Sequence, residues 1–148
     1  MGGADTIKGG GGNDLICAGA GHDFVNGQSG TDSIFGADGA DEIYGGSDWD
    51  APINGNAGDD FIFGDDGPDA IEGNNGDDDA FGNQGADDVR GNSGLDDLFG
   101  GDGHNDHLVG GEDVDYLNGG AGNSDYCDSP PPSNDGDDSQ GCEEGPDA

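Results

Sequence analysis

Residues 9–17 read GGGGNDLIC. Six residues that favour turns precede three that suit a short strand, a combination with little core of its own. The next blocks explain it. Residues 18–26 read AGAGHDFVN, 27–35 read GQSGTDSIF and 36–44 read GADGADEIY. One nine-residue phrase is written four times in succession, and an internal repeat decides architecture before any local propensity does.

From Gly9 the frame continues as 45–54, 55–63, 64–72, 73–81, 82–90, 91–99, 100–109, 110–118 and 119–128, with a partial copy at 1–8. The copies 45–54, 100–109 and 119–128 carry one extra residue. Position six is aspartate in every copy: Asp5, Asp14, Asp23, Asp32, Asp41, Asp50, Asp60, Asp69, Asp78, Asp87, Asp96, Asp106, Asp115 and Asp125. Position eight is aliphatic from Ile7 and Ile16 through Leu117, with Cys127 at the end. Position one is glycine except at Ala18, and position four is glycine except at Asp48 and Asp113. At position two Gly and Asn recur (Asn56, Asn74, Asn83, Asn92). Both residues tolerate the left-handed backbone region, so this position is expected at positive φ. Positions seven to nine are expected to form three-residue strands, with position eight pointing inward.

Composition alone argues otherwise. The chain has 148 residues, 28% hydrophobic, with 35 glycines. Thirty-five acidic residues face two basic ones, Lys8 and Arg90, for a formal charge of −33. Such a profile ordinarily gives disorder, because too little apolar surface offsets the chain entropy. A disordered acidic chain has no reason to hold Asp and aliphatic residues in two fixed phases. The same charge excludes nucleic acid and anionic membranes as partners. No stretch approaches the roughly 18 apolar residues of a membrane span. Met1 leads directly into GGADTIKGG, already within a repeat and without a leader pattern, as expected of a mature form or a fragment.

The pattern G-G-x-G-x-D-x-U-x resembles the calcium-binding nonapeptide repeat of RTX, or haemolysin-type, secreted proteins. The resemblance covers residues 1–128. It implies an all-β, right-handed parallel β-roll, a solenoid of about seven coils with two nonapeptides per coil. It also implies Ca2+ between stacked turns, held by turn carbonyls and by the position-six Asp of copies n and n+2. On one edge those pairs are Asp5/Asp23, Asp23/Asp41, Asp41/Asp60, Asp60/Asp78, Asp78/Asp96 and Asp96/Asp115. On the other they are Asp14/Asp32, Asp32/Asp50, Asp50/Asp69, Asp69/Asp87, Asp87/Asp106 and Asp106/Asp125. The chemistry agrees: calcium takes about six to eight oxygen ligands, and glycine leaves turn carbonyls sterically open. Up to about twelve ions would bring −33 to about −9. The strongest sites are expected within 18–44 and 55–99. The substituted turns at Asp48 and Asp113, the lengthened copies and the incomplete first copy are expected to be weaker.

Other patterns fail on inspection. Gly10-Gly11-Gly12 mimics a phosphate loop, but no helix pattern follows. Asp135 and Asp137 open an EF-hand-like run that then lacks Gly at Gln140 and Glu at Pro146. His104 and His107 have a spacing that suits zinc but fall in an irregular turn. No Ser/His/Asp set stands out, so the chain is expected not to be an enzyme. Residues 129–148 form a Pro/Asp-rich tail. It is similar to the Cys-containing terminus of some bacterial secreted repeat proteins, which implies a Cys127–Cys142 disulfide closing the last coil; two free thiols are the alternative. Cys17, at position nine, should face outward.

Seven of the ten aromatics fall on one outer face: Phe24, Phe61 and Tyr116 at position seven and Tyr44, Phe63, Phe81 and Phe99 at position nine. Strand propensity explains them in part. The sharper reading is a face for docking another domain or for self-association through Tyr44, Phe63, Phe81 and Phe99. The role expected from all this is a structural, secreted calcium-binding roll that folds on extracellular calcium. The alternative is the C-terminal secretion and folding module of a larger secreted enzyme or toxin. An ice-binding roll needs regular Thr/Asn rows, whereas position three runs Gly11, Ala20, Ser29, Asp38. A calcium buffer would need weak sites and no partner.

Overall fold

The computed structural model describes residues 2–128 and 138–142. All of its regular structure is strand, and every strand pairing is parallel. Successive strands alternate between two sheets, which is the signature of a β-solenoid of about seven turns. The larger sheet contains β1 (Thr6–Gly11), β3 (Phe24–Ser29), β5 (Glu42–Ser47), β7 (Phe61–Asp66), β9 (Asp79–Gln84), β11 (Asp97–Gly101), β13 (Tyr116–Gly120) and β15 (Asp138–Gln140), in that order. The smaller contains β2 (Leu15–Ala20), β4 (Ser33–Asp38), β6 (Ile53–Ala57), β8 (Ala70–Asn75), β10 (Asp88–Ser93), β12 (His107–Glu112) and β14 (Tyr126–Asp128).

Register follows the repeat. Val25 pairs with Ile43, Ile43 with Ile62, Ile62 with Ala80, and Ala80 with Leu98. Ile16 pairs with Ile34, Ile34 with Ile53, and Ile53 with Ile71 in the facing sheet. These two columns of position-eight side chains, with Ala18, make up the hydrophobic core of the described residues. A core one side chain deep on each sheet is thin, and it leaves the polar turns to do much of the holding.

Most strands are six residues long rather than three. They run through positions seven to nine and on into positions one to three of the next copy. The glycines there keep pairing across coils because their neighbours above and below adopt the same conformation. Position two takes positive φ throughout the regular copies, as expected, and does so also at Gln28 (81°), Ala37 (89°) and Asp65 (74°). The turn imposes that conformation on whatever residue stands there.

Part of the segment read as a tail joins the roll. β15 lies beside β13 with Leu117 opposite Ser139. The backbone N–H of Asp138 donates to the carbonyl of Asp115 at 3.0 Å, as Tyr116 does to Asp96 at 2.8 Å. Residues 129–137 and 143–148 of that tail, including Asp135, Asp137 and Pro146, lie outside the described residues. Cys127 and Cys142 form a disulfide with Cα atoms 5.7 Å apart. It links β14 in one sheet to the residues just after β15 in the other. A 15-residue closure constrains the unfolded chain by about 3 kcal/mol. Reduction should therefore release residues 107–128 and 138–142 first, because solenoid stability is nearly additive along the stack. Hydrogen exchange should show lost protection confined to that end; uniform loss across all coils, or none, would contradict the cap.

Candidate metal centre

Each position-six aspartate sits at the end of its turn and points into it. Asp23, Asp32, Asp41, Asp50, Asp60, Asp69, Asp78, Asp87, Asp96, Asp106, Asp115 and Asp125 are all buried, at 3% exposure or less. Asp5 and Asp14, in the first coil, are half-buried. Burial of so many carboxylates in a chain with two basic residues has no protein counter-charge to balance it.

The geometry is the same from coil to coil. Oδ1 of each aspartate accepts a hydrogen bond from the backbone N–H of the aspartate one coil earlier. Asp5 donates to Asp23 at 2.7 Å, Asp14 to Asp32 at 2.8 Å, Asp41 to Asp60 at 2.8 Å, and Asp60 to Asp78 at 2.8 Å. The other links are Asp23 to Asp41, Asp32 to Asp50, Asp50 to Asp69, Asp69 to Asp87 and Asp78 to Asp96, at 2.7–2.9 Å. The last three are longer: Asp87 to Asp106 and Asp96 to Asp115 at 3.0 Å, and Asp106 to Asp125 at 3.1 Å. All the aspartate pairs expected from the repeat are thus brought together. The lengthening falls at the C-terminal end of the stack; the lengthened copy 45–54 shows none, with links of 2.7 and 2.8 Å at Asp50. At Asp48 and Asp113 the missing glycine is accommodated by positive φ, 82° and 78°.

The second carboxylate oxygen is the informative one. Oδ2 of Asp5, Asp14, Asp23, Asp32, Asp41, Asp50, Asp60, Asp69, Asp78, Asp87, Asp96 and Asp106 is buried and accepts no hydrogen bond among the described residues. A buried carboxylate oxygen without a partner is costly unless a cation takes it. Oδ2 faces position-one glycine, as at Gly45, where a Cβ would lie 2.7 Å from Asp50 Oδ2, 2.7 Å from the Gly64 carbonyl oxygen and 2.8 Å from the Ile53 δ-methyl. Position-four glycine closes the stack: a Cβ on Gly30 (φ +111°) would lie 2.5 Å from the Gly12 carbonyl oxygen. Glycine is favoured at both positions because turn backbones of adjacent coils approach directly.

Electrostatics point the same way. Burial pushes Asp69 up to about 8, Asp60 and Asp96 to about 7, and Asp50, Asp78 and Asp87 to about 6. The hydrogen bond from the preceding aspartate N–H opposes the shift, and neighbouring carboxylates add to it. Asp41 and Asp106 are raised for the same leading reason. Without a cation, burial makes these carboxylates harder to ionise than an exposed aspartate, Asp69 most of all.

Among the described residues no three Asp, Glu, His or Cys side chains converge on one point. Side chains therefore offer two carboxylates per stacked pair, and a hard cation would complete its shell with turn carbonyls. The histidines do not assemble. His104 Nδ1 accepts from Asn123 N–H at 3.1 Å, while His107 stacks on Tyr126 and lies 3.4 Å from Asp88. Cys17 is free and exposed, as expected. A feature not read from sequence is a second ladder on the outer rim of the turns, at position five. Leu95 N–H donates to Asp77 Oδ1 at 2.9 Å, Asp77 N–H to Asp59 Oδ1 at 3.1 Å, and Thr31 N–H to Asn13 Oδ1 at 3.2 Å. Asn and Asp at position five were the available signal, obscured by irregular occupancy.

A parallel β-solenoid whose stacked turns each bury one aspartate against glycine is a repeat scaffold of the ion-binding class. The RTX calcium-binding nonapeptide repeat matches residues 1–25, 26–51, 53–71, 72–105 and 105–125, and the chain belongs to that family. No curated protein and no solved structure matches it. Calcium binding is thereby implied for the chain, and the scaffold is structural in kind.

Proposed function

We propose that this chain is a secreted structural β-roll, folded by extracellular calcium, with the position-six aspartates from Asp5 to Asp125 as its side-chain ligands. The observation that carries the reading is the series of buried Oδ2 atoms facing a glycine-lined turn. Each shared pair, such as Asp60/Asp78 or Asp69/Asp87, would hold one ion with turn carbonyls. Calcium, when bound, supplies the positive charge that lets these carboxylates stay ionised while buried. The chain's own residues fix the spacing: Oδ1 is held by the backbone N–H of the coil before, leaving Oδ2 for the metal. There are twelve such pairs, and those within 18–44 and 55–99, whose copies keep the full repeat, are proposed as the strongest sites. The Cys127–Cys142 disulfide supports an oxidising compartment, where millimolar calcium is also available.

Equilibrium dialysis at pH 7.5 tests the reading. With millimolar calcium the chain should take up more than six ions, and equimolar magnesium should displace few of them, because magnesium keeps its water and demands tighter octahedral geometry. Uptake of two ions or fewer, or equal displacement by magnesium, would overturn it.

A further inference from the structure

The outer face of the larger sheet carries an unbroken row of rings. Tyr44 and Phe63 stack at 4.8 Å between centroids, Phe63 and Phe81 at 4.9 Å, and Phe81 and Phe99 at 4.7 Å, with interplanar angles of 11°, 9° and 3°. Phe24 extends the row at one end and Tyr116 at the other, each 5.7 Å from its neighbour and tilted. The ring faces are used up in stacking. What the row presents outward is a ridge of ring edges, with Phe61 beside it 49% exposed. Such a ridge is apolar and rigid, and no other element of the described chain covers it.

Its flanks are acidic. On the turn side, Phe63 borders a groove of about 530 Å³ lined also by Asp65, Asp66, Asn83, Gln84 and Asp102. On the other side Glu42, Asp79 and Asp97 occupy position seven, two residues before Tyr44, Phe81 and Phe99 and on the same face of their strands. Tyr44 donates its hydroxyl to Glu42 at 2.8 Å. Among the described residues the ion pairs are Arg90–Asp88 and His107–Asp88, both on the smaller sheet. These flanking carboxylates belong to no metal pair proposed above, so calcium in the turns leaves them uncompensated.

We propose that this ridge is a docking surface for a basic, amphipathic polypeptide segment, its apolar side chains on the ring edges and its lysines or arginines on the flanking carboxylates. Charge selects the occupant. A second copy of this chain would set Asp65, Asp66 and Asp102 against like carboxylates, which opposes association. A helix of about 18 residues, about 27 Å long at 1.5 Å per residue, spans the six rings.

The test uses the calcium-loaded full chain and a dye-labelled 18-residue peptide of leucine and lysine patterned as an amphipathic helix, followed by anisotropy. Binding is expected at 150 mM salt. A serine–lysine peptide of equal charge and a leucine–glutamate peptide of equal hydrophobicity should bind at least tenfold more weakly. Phe63→Ser with Phe81→Ser should weaken the leucine–lysine peptide at least tenfold. Asp65→Asn with Asp66→Asn and Asp102→Asn, which keeps every ring, should do the same; asparagine already occupies the position of Asp65 at Asn74, Asn83 and Asn92. Circular dichroism confirms that both variants still fold with calcium. Equal binding of the serine–lysine peptide would reduce the effect to bulk polyanion attraction and overturn the proposal. So would indifference to either variant, or a wild-type dimer abolished by the phenylalanine substitutions, which would give the face to a second copy.

Discussion

In excess chelator at pH 8 the chain is expected to give the circular dichroism of an unordered polypeptide, and millimolar calcium is expected to restore the strand signal in one cooperative transition. The physical reason is the ratio of buried charge to core. The apolar interior is two columns of single side chains, yet the adjoining turns bury an aspartate in almost every copy. Binding to the folded form alone stabilises it by RT ln(1 + [Ca]/Kd), about 1.4–2.7 kcal/mol per site when calcium is about 10–100-fold above Kd. Summed over even half the stacked pairs, that term is comparable with the whole stability of an ordinary domain, about 5–15 kcal/mol. Protons should act on the metal-free chain in the same sense as calcium. The folded carboxylates of Asp50, Asp60, Asp69, Asp78, Asp87 and Asp96 are held at about 6 to 8, above the ordinary carboxylate value. A raised folded value means that the folded roll binds protons more tightly, so this stability is full below about pH 4 and is lost as pH rises through 6 to 8. The chelated chain should thus regain strand signal as pH is lowered from 8 toward 4.5. Because protons and calcium compete for the same oxygens, the calcium midpoint should rise over that range. A compact, strand-rich chain in chelator at pH 8, or a calcium midpoint independent of pH, would defeat the account.

The parts of this fold that sequence reveals are those in which one residue does one job in every copy. Aspartate at position six and an aliphatic residue at position eight gave the nine-residue period, and the family resemblance they carry implied the coil, the two sheets and every aspartate pair later found joined by an Oδ1 hydrogen bond. Strand length was hidden because glycine at positions one to three signals a turn, and only contact with identical neighbours turns those residues into strand. Gln28, Ala37 and Asp65 at positive φ were hidden for a related reason: a stacked turn over-determines its backbone, so local propensity yields. β15 carries Asp138, Ser139 and Gln140, with no apolar residue to announce it. Its place follows from the free edge of β13 and the link to Cys142, neither of which is a local property. The aromatics were legible as a face, but the ring-to-ring stacking depends on coil spacing. The position-five ladder escaped notice because Asn13, Asp59 and Asp77 are interspersed there with residues such as Ala40, Pro68, Ala86 and Leu95, whose side chains cannot accept.

Asp60→Ala is expected to raise the calcium midpoint several-fold, while Asp128→Ala leaves it within about 0.5 kcal/mol of wild type. Asp60 is central and doubly committed. Its Oδ1 accepts from Asp41 N–H, and its own N–H donates to Asp78 Oδ1, so one side chain belongs to two stacked pairs. Removing the carboxylate strands a buried N–H on Asp41, which costs about 1–3 kcal/mol, and withdraws a proposed ligand from two ions at once. In a solenoid each coil touches only its neighbours, so a lesion here weakens the junction between two halves rather than fraying an end. The unfolding transition should broaden, and hydrogen exchange should show protection lost first around residues 41–78. Asp128 is the same residue type with the same formal charge, but it stands at position nine beside Val109, outside any turn. Removing it changes net charge as much as the first substitution does. If the two variants shifted the midpoint equally, bulk charge would account for the calcium requirement, and the position-six aspartates would have no special claim to the metal.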